Sequence, residues 1–178
     1  MEFGSSTAVL HKWRNDIRIK VFGTPTDVDL STLNQVVDEL NDLITSLSVE
    51  IVDGNFFEIE MHFAPEATFK TLEPNYVPTN MGFVWTWWWY NAITDARILI
   101  SSVGITQKER SHLIREELTQ SLGLMNDSYR YENSIFQQAW TDTIEYEAVD
   151  EAVIKLLYDP RIRSGMTRNA VETILGIR

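Results

Sequence analysis

The sequence predicts a single domain of the α+β class. Alternation of apolar and polar residues with a period of two marks several strands in the first part of the chain, and helical periodicity prevails from Thr106 onward. A length of 178 residues, 44% of them hydrophobic, is enough to bury one core without disulfides or metal. We assign residues 7–178 to this domain and interpret residues 1–6, MEFGSS, as an expression-vector remnant.

Five stretches predict the strands of a mixed sheet. DIRIKVFG alternates Ile17, Ile19 and Val21 with polar residues, and the Gly-Thr-Pro that follows ends this strand. VEIVD and FFEIEMHF predict the second and third strands, and GFVWTWWWY and DARILISS predict two more around a turn near residues 91–94. The apolar residues of the third stretch are expected on one face of its strand: Phe57, Ile59, Met61 and Phe63.

Helical spacing of apolar residues marks four segments. Residues 31–47, behind a serine or aspartate cap, predict an N-terminal helix. Residues 107–122 predict a central helix that Gly123 stops, and residues 143–157 and 167–174 predict C-terminal helices. Two prolines in residues 74–80 indicate a loop before the fourth strand.

Composition excludes several functions. With 15 basic and 26 acidic residues the net charge is -11, which repels nucleic acid. The absence of cysteine excludes disulfides, thiolate zinc sites and cysteine nucleophiles. No apolar run approaches the roughly 20 residues that span a bilayer. The sequence contains neither a glycine-rich phosphate loop nor a G-x-S-x-G elbow, so nucleotide cofactors and serine hydrolysis have no local support.

The segment EELTQSLGLMND, residues 116–127, has the spacing of a zinc-protease helix without its histidines. In H-E-x-x-H, two histidines four apart ligate zinc and the glutamate acts as general base; metzincins extend the motif to H-E-x-x-H-x-x-G-x-x-H. On that pattern Glu116 falls at the first histidine and Glu117 at the glutamate. Gln120 and Asn126 fall at the second and third histidines, and Gly123 falls at the glycine.

Three further residues support the motif. His112 lies one helical turn before Glu116 on the same polar face, although a single histidine there is more often a surface residue than a metal ligand. Asp127 resembles the residue that commonly follows the third histidine. Met166, in RIRSGMTR, resembles the methionine turn beneath a metzincin metal.

The chain also resembles a family of bacterial envelope proteins catalogued as domain of unknown function 2927. The resemblance rests on REELTQSLGLMNDS, on SIF at residues 134–136 and on LYDPRIRSGM at residues 157–166, and it extends from about Trp13 to the end. It implies a metzincin-like fold and export as a periplasmic, lipoprotein-anchored or extracellular protein, with the signal removed from this sequence. It implies no established activity. Glutamate and glutamine at the ligand positions are usual in this family, so the substitutions do not mark a damaged copy of an active enzyme.

The residue types at the ligand positions disfavour zinc. Three neutral imidazoles leave zinc enough charge to lower the pKa of bound water to about 7, and amides do this poorly. Glu116, Gln120 and Asn126 offer a hard set of oxygens, which is better matched to calcium or magnesium. We therefore expect no cofactor and no zinc, and name calcium or magnesium as the ions that such a set would prefer.

Two interpretations of the motif face remain open. In the first, Glu116, Glu117 and Gln120 form a solvated or hydrogen-bonded helix face whose carboxylates pair with Arg110, Arg115 or other basic groups. In the second, Glu117 is the general base of an oxygen-ligated or metal-free hydrolase. A cleft-facing Glu117 with a raised pKa would favour the second interpretation, and an arginine-paired Glu117 would not.

The aromatic stretch WTWWWY, residues 85–90, is a candidate recognition surface. Strand alternation places Trp85, Trp87 and Trp89 on one side and Trp88 and Tyr90 on the other. One set is expected in the core. The other is expected either to bind a ligand or to cap the sheet beneath the terminal helices. By resemblance to metzincins, whose strand before the active-site helix borders the cleft, these rings are expected to line it.

The sequence thus favours a non-catalytic, metzincin-like binding domain of the bacterial envelope, with a protein, peptide or glycan as its ligand. One rival is a metal-dependent peptidase or hydrolase with an atypical oxygen-ligated site and Glu117 as general base. The other rival is a structural or assembly module in which the motif only builds a helix and a turn.

Overall fold

The computed structural model describes residues 8–177, which form a five-stranded sheet flanked by helices. A short 3-10 helix, Glu66–Thr68, precedes α2. Along the chain the strands and α-helices are β1 (Ile17–Gly23), α1 (Asp27–Leu43), β2 (Val49–Ile51), β3 (Ile59–Ala64), α2 (Phe69–Leu72), β4 (Gly82–Trp89), β5 (Ala92–Ser101), α3 (Gln107–Ser121), α4 (Ala148–Leu157) and α5 (Arg168–Leu175).

The sheet is mixed, as predicted, with strand order β2-β1-β3-β5-β4. β1 pairs in parallel with β2 and β3, β3 pairs in parallel with β5, and β4 is antiparallel to β5. β4 is therefore an edge strand, and its outer edge has no strand partner in the part of the chain that the structure describes. Within residues 8–177, no helix is both long and apolar enough to cross a bilayer.

One face of the sheet carries the main core. Apolar side chains of the period-two pattern, such as Ile19, Ile59 and Met61, are fully buried there. α1 and α3 cover this face with apolar stripes that include Leu40 and Leu118. Burial of this apolar surface is the main stabilising term of the fold and fixes α3 beside β4.

The opposite face holds a smaller cluster and a polar network. Phe69, Tyr76 and Leu99 are buried together beneath α2 and the loop that follows it. Arg97 donates from Nε to Glu60 at 2.8 Å and from Nη1 to the Leu72 carbonyl at 2.6 Å. This network holds the loop at residues 73–80 against the sheet, next to β4.

The helix starts differ from the predicted ones because different residues cap them. α1 begins at Asp27, one turn before residue 31, because Thr26 is the N-cap: its hydroxyl accepts from the Asp29 N–H at 3.1 Å, and the Asp29 carboxylate accepts from the Thr26 N–H at 2.8 Å. α4 begins only at Ala148, behind Glu147. The short helices between β3 and β4 were not predicted.

The hairpin between β4 and β5 is tighter than predicted. Tyr90 and Asn91 have φ values of 46° and 62°, which form a two-residue turn, and β5 starts immediately at Ala92. The predicted turn at residues 91–94 is therefore wrong. Asparagine tolerates the left-handed region, whereas an aromatic residue rarely adopts it, and this made the turn position hard to recognise.

The C-terminal end of α3 is held by side chains from distant parts of the chain. The Trp13 indole N–H donates to the Ser121 carbonyl at 2.9 Å, and the Tyr158 hydroxyl donates to the Leu122 carbonyl at 3.0 Å. Gly123 then adopts φ of 114°, and a Cβ atom there would lie 2.2 Å from the His11 carbonyl oxygen. Only glycine fits this turn, and the turn directs the following residues back along α3.

We predict that Gly123→Ala destabilises the protein by about 2–3 kcal/mol, because alanine adds both backbone strain and a clash with the His11 carbonyl. Urea unfolding followed by tryptophan fluorescence measures this change. Gly54→Ala is the matched control, since a Cβ there meets nothing within 4 Å and its φ is not positive. Equal effects of the two substitutions would contradict the assigned role of Gly123.

Candidate functional site

A cleft of about 590 Å³ opens between α3 and β4. Its two remaining walls are the loop before β4 and the segment between α3 and α4. The lining side chains divide into carboxyls, amides, aromatic rings and aliphatic groups, and among the described lining residues none is lysine or arginine. The polar and aromatic members that matter below are Asn75, Asn80, Phe83, Trp85, His112, Glu116, Glu117, Gln120, Asp127, Gln137, Gln138 and Trp140.

α3 has an apolar face against the core and a polar face toward the cleft, and the polar face carries the motif residues. A capping box starts the helix: the Thr106 hydroxyl accepts from the Glu109 N–H at 3.2 Å, and the Glu109 carboxylate accepts from the Thr106 N–H at 2.7 Å. Ile114 and Leu118 are fully buried on the core side. The residues spaced by four on the other side therefore point into the cleft, as helical spacing predicted.

His112 and Glu116 form a pair at the rim of α3. His112 Nε2 lies 3.3 Å from the Glu116 carboxylate, and Nδ1 donates to the Thr143 carbonyl at 2.6 Å. Burial lowers the pKa of His112, whereas the hydrogen bond and charge of Glu116 help to raise it. The raising effects prevail, so the pKa of His112 lies above the ordinary 6.5. His112 is only 2% exposed, so the expectation of a surface histidine is wrong. Both ring nitrogens are engaged by the protein itself.

Gln120 and Asp127 form a second pair. The Gln120 amide donates to the Asp127 carboxylate at 2.9 Å. Asn126, which the motif spacing placed at the third ligand position, is exposed and does not line the cleft. The reason is the turn at Gly123, after which Met125 packs against the core and Asp127 faces the cleft.

Met166 also lies outside the lining of the cleft. Its carbonyl accepts from the Leu10 N–H at 2.9 Å, and its sulfur accepts from the Arg163 N–H at 3.2 Å. The LYDPRIRSGM segment thus anchors the chain around Leu10 and the end of α3. The structure does not bring Met166 to the motif residues as a methionine turn would.

Glu117 differs from Glu116 and Asp127 because it is nearly buried and has no partner among the described residues. It is 6% exposed, and a Cβ atom on Gly82 of β4 would lie 2.5 Å from its carboxyl oxygen, so the glycine leaves room for Glu117 in this position. Within residues 8–177, Glu117 has neither a hydrogen-bond donor nor a basic side chain as partner. Burial, and then the charges of Glu116 and Asp127, raise its pKa well above the ordinary 4.5.

The two arginines expected to neutralise this face point elsewhere. Arg110 donates to Asp29 at 3.1 Å, and Arg115 holds the Glu39 carboxylate through both terminal nitrogens. Both acids belong to α1, on the core side of α3. The expectation that Arg110 or Arg115 pairs with the motif carboxylates is therefore wrong.

The SIF segment builds the outer wall of the cleft. Asp150 at the start of α4 is buried and accepts from the Ser134 hydroxyl at 2.5 Å and from the Ile135 N–H at 3.0 Å. This anchor carries the next residues to the cleft, including Gln137 and Trp140. Sequence reasoning missed this wall and Gly82, because neither belongs to a spaced motif.

The aromatic stretch divides at a bulge between Trp87 and Trp88. Before it, Trp85 is half-buried and lines the cleft, with its ring stacked at 6.5 Å on that of Phe83. After it, Trp89 and Tyr90 are exposed at the hairpin tip. Neither predicted set is buried in the core, and only Trp85 of the stretch lines the cleft; Trp87 and Trp88 are also exposed and lie outside the lining.

The side chains present do not fit a metzincin zinc site. Glu116 is engaged by His112 and the Gln120 amide by Asp127. In the described part of the chain, no group of three histidine, aspartate or glutamate side chains is arranged to hold a metal ion. Carboxylate and amide oxygens also lack the donor chemistry that three imidazoles give zinc.

A mixed five-stranded sheet, with an antiparallel edge strand bordering a cleft beside a motif helix, defines a metzincin-like fold. Two solved structures of myroilysin, a metzincin-type metallopeptidase, share this fold at 13% sequence identity and a TM-score of 0.52. One comparison covers 84% of this chain and 82% of that chain, and the other covers 90% of each. At this identity the likeness concerns the fold alone.

The chain belongs to the family described as "Protein of unknown function (DUF2927)", whose model matches residues 1–176. This confirms the resemblance inferred from its motifs. No curated protein matches the chain in sequence.

We predict that Glu117→Gln makes stability less dependent on pH. A carboxyl with a raised folded pKa binds its proton more tightly when folded, so its contribution to stability is complete below the unfolded pKa near 4.5. That contribution is lost as pH rises toward the folded pKa. The variant should therefore gain stability relative to the wild type as pH rises from about 4.5 toward the folded pKa. Urea unfolding across this range measures the difference, and Glu145→Gln controls for loss of one exposed carboxylate. Parallel curves for wild type and Glu117→Gln would refute the buried-acid assignment.

Proposed function

We propose that this protein is a non-catalytic, metzincin-like binding domain of the bacterial cell envelope, and that the cleft between α3 and β4 is its binding site. One observation carries the proposal: the side chains at the first two ligand positions are paired within the protein, Glu116 with His112 and Gln120 with Asp127. A zincin helix instead directs its imidazoles at one ion. In this protein the motif side chains instead form part of the polar wall of the cleft.

The cleft fits an extended peptide segment. An edge strand presents unpaired backbone N–H and C=O groups, and peptides bind such strands by strand addition. Gly82 to Trp85 of β4 line the cleft, and Gly82 carries no side chain that would block a close approach. Trp140, 61% exposed at the opposite wall, offers a flat apolar face for a bound side chain.

A hydrolase that uses Glu117 is the second candidate. The favouring observation is that Glu117 faces the cleft with a raised pKa and without an arginine partner. A carboxyl whose pKa is raised by burial can act as a general acid. Acid–base hydrolysis with two carboxyls also needs a second poised group. Glu116 and Asp127 are both engaged by neighbouring side chains, so binding ranks first.

The envelope location follows from the motif resemblance described above, with export as a periplasmic, lipoprotein-anchored or extracellular protein. Fractionation of cells that express the full-length gene with an epitope tag tests this location. Recovery in the cytoplasmic fraction alone would refute it.

We predict that the purified protein retains peptides without cleaving them. The protein is incubated with a random decapeptide mixture, and bound and free peptides are identified by mass spectrometry. The same sample, dialysed against zinc, calcium or magnesium, is assayed for metal content beside Glu116→Ala. We expect retained, intact peptides and no stoichiometric ion that Glu116→Ala removes.

Two tryptophan variants locate the binding site. Trp140→Ala in the cleft should abolish retention, whereas Trp89→Ala at the hairpin tip, where the ring is 70% exposed, should not. Cleavage that is lost in Glu117→Gln would overturn the non-catalytic proposal in favour of the second candidate. Loss of retention only in Trp89→Ala would move the binding site to the hairpin. If the wild-type protein retains no peptide, peptide binding is refuted and the structural or assembly module is the remaining interpretation.

A further inference from the structure

Glu117 is nearly buried at the wall of the cleft and has no protein partner among residues 8–177. It is 6% exposed and lines the cleft, and it has no hydrogen bond or ion pair within residues 8–177. A buried carboxyl in this state is destabilising until a donor reaches it. The cleft itself is the route by which a donor from a ligand would reach Glu117.

The amides that line the cleft with Glu117 offer free acceptors. One N–H of each of Gln120, Asn75 and Asn80 is already used: these groups donate to Asp127 at 2.9 Å, to the Glu73 carboxylate at 2.8 Å and to the Val77 carbonyl at 3.1 Å. The carbonyl ends of these amides are not hydrogen bonded within the described chain, and a carbonyl oxygen only accepts. Together with the carboxyls of Glu117 and Asp127, these free oxygens favour a ligand that is rich in donors.

The charge of the cleft restricts the class of ligand further. His112, the one basic residue among the described lining residues, is engaged through both nitrogens. The lining rings of Trp85 and Trp140 attract cations to their faces. The net charge of -11 favours approach of cationic ligands as well. A neutral sugar would satisfy acceptors without offsetting charge, and an anion would be repelled.

We infer that the cleft selects its peptide by a lysine or arginine side chain, whose cationic group binds among Glu117, Asp127 and the amide oxygens. The aliphatic part of that side chain packs on the Trp85 and Trp140 rings. The peptide backbone follows the edge of β4. The inference rests on the proposed function, since it names the class of peptide that the same cleft binds.

The probes are three acetylated, fluorescent octapeptides that alternate alanine with lysine, glutamine or glutamate. Fluorescence anisotropy at about 0.15 M salt gives their affinities for the intact protein. We expect the lysine peptide to bind roughly tenfold more tightly than the glutamine peptide, and the glutamate peptide to bind most weakly.

Matched variants separate the cleft from the overall negative charge. Glu117→Gln, and Asp127→Asn as a second variant, should weaken lysine-peptide binding by roughly tenfold and leave glutamine-peptide binding nearly unchanged. Glu145→Gln makes the same change in a second acidic groove, lined by Glu39, Asp42 and Glu145, and should have no effect. Trp140→Ala should weaken all three peptides, and Trp89→Ala none. Urea unfolding verifies that each variant folds.

Three other outcomes would overturn the inference, and the peptide and variant measurements distinguish them. Equal losses in Glu117→Gln and Glu145→Gln would show attraction to net charge alone and overturn the inference. Equal affinity for the three peptides, still dependent on Trp140, would overturn it while leaving the proposed peptide binding intact. Binding of a neutral oligosaccharide such as maltohexaose, with no peptide bound, would overturn both the inference and the peptide ligand.

Discussion

Two buried arginines of α3 determine the character of the cleft by pointing away from it. Arg110 binds Asp29, and Arg115 binds Glu39, so both ion pairs join α3 to α1 on the core side. Arg115 also stacks on Tyr146, 4.4 Å from the ring centroid. Removing one partner of a buried ion pair costs about 3–5 kcal/mol, and the Arg110–Asp29 pair is of this buried kind. The carboxyls on the cleft side of α3 are consequently left without an arginine neighbour, and of the two only Glu116 has a basic partner, His112.

Direct hydrogen bonds also join the motif helix to the elements around it. In a metzincin, zinc connects the motif helix to the segment that returns after the glycine turn. Here the hydrogen bond from Gln120 to Asp127 joins these two elements, and His112 joins α3 to Thr143 of the outer wall. Trp13 and Tyr158 cap the last carbonyls of the helix. In this chain, direct hydrogen bonds thus join the elements that zinc joins in a metzincin.

Local sequence patterns predicted the parts of this structure that depend on local physics. Alternation and helical spacing identified the five strands and the motif helix, and Gly123 marked the end of that helix. The partner of Arg115, by contrast, is Glu39 on α1, and nothing in the sequence around residues 115–117 indicates this pairing. Asp127 replaces Asn126 in the cleft because of the turn at Gly123, and the bulge after Trp87 changes which rings face outward. These features depend on long-range packing, which periodicity does not encode.

The lack of a partner at Glu117 supports both binding and hydrolysis, so the other groups of the cleft must decide between them. Recognition requires only that the correct ligand supplies a donor and that a wrong ligand leaves the carboxyl unsatisfied. Hydrolysis requires in addition a second group that is free to activate or deliver water. Glu116 and Asp127 are hydrogen bonded to neighbouring side chains, and freeing Asp127 would break the connection between α3 and the segment after Gly123. The groups that hold the motif in place are therefore the ones that a reaction would need, and this conflict favours recognition.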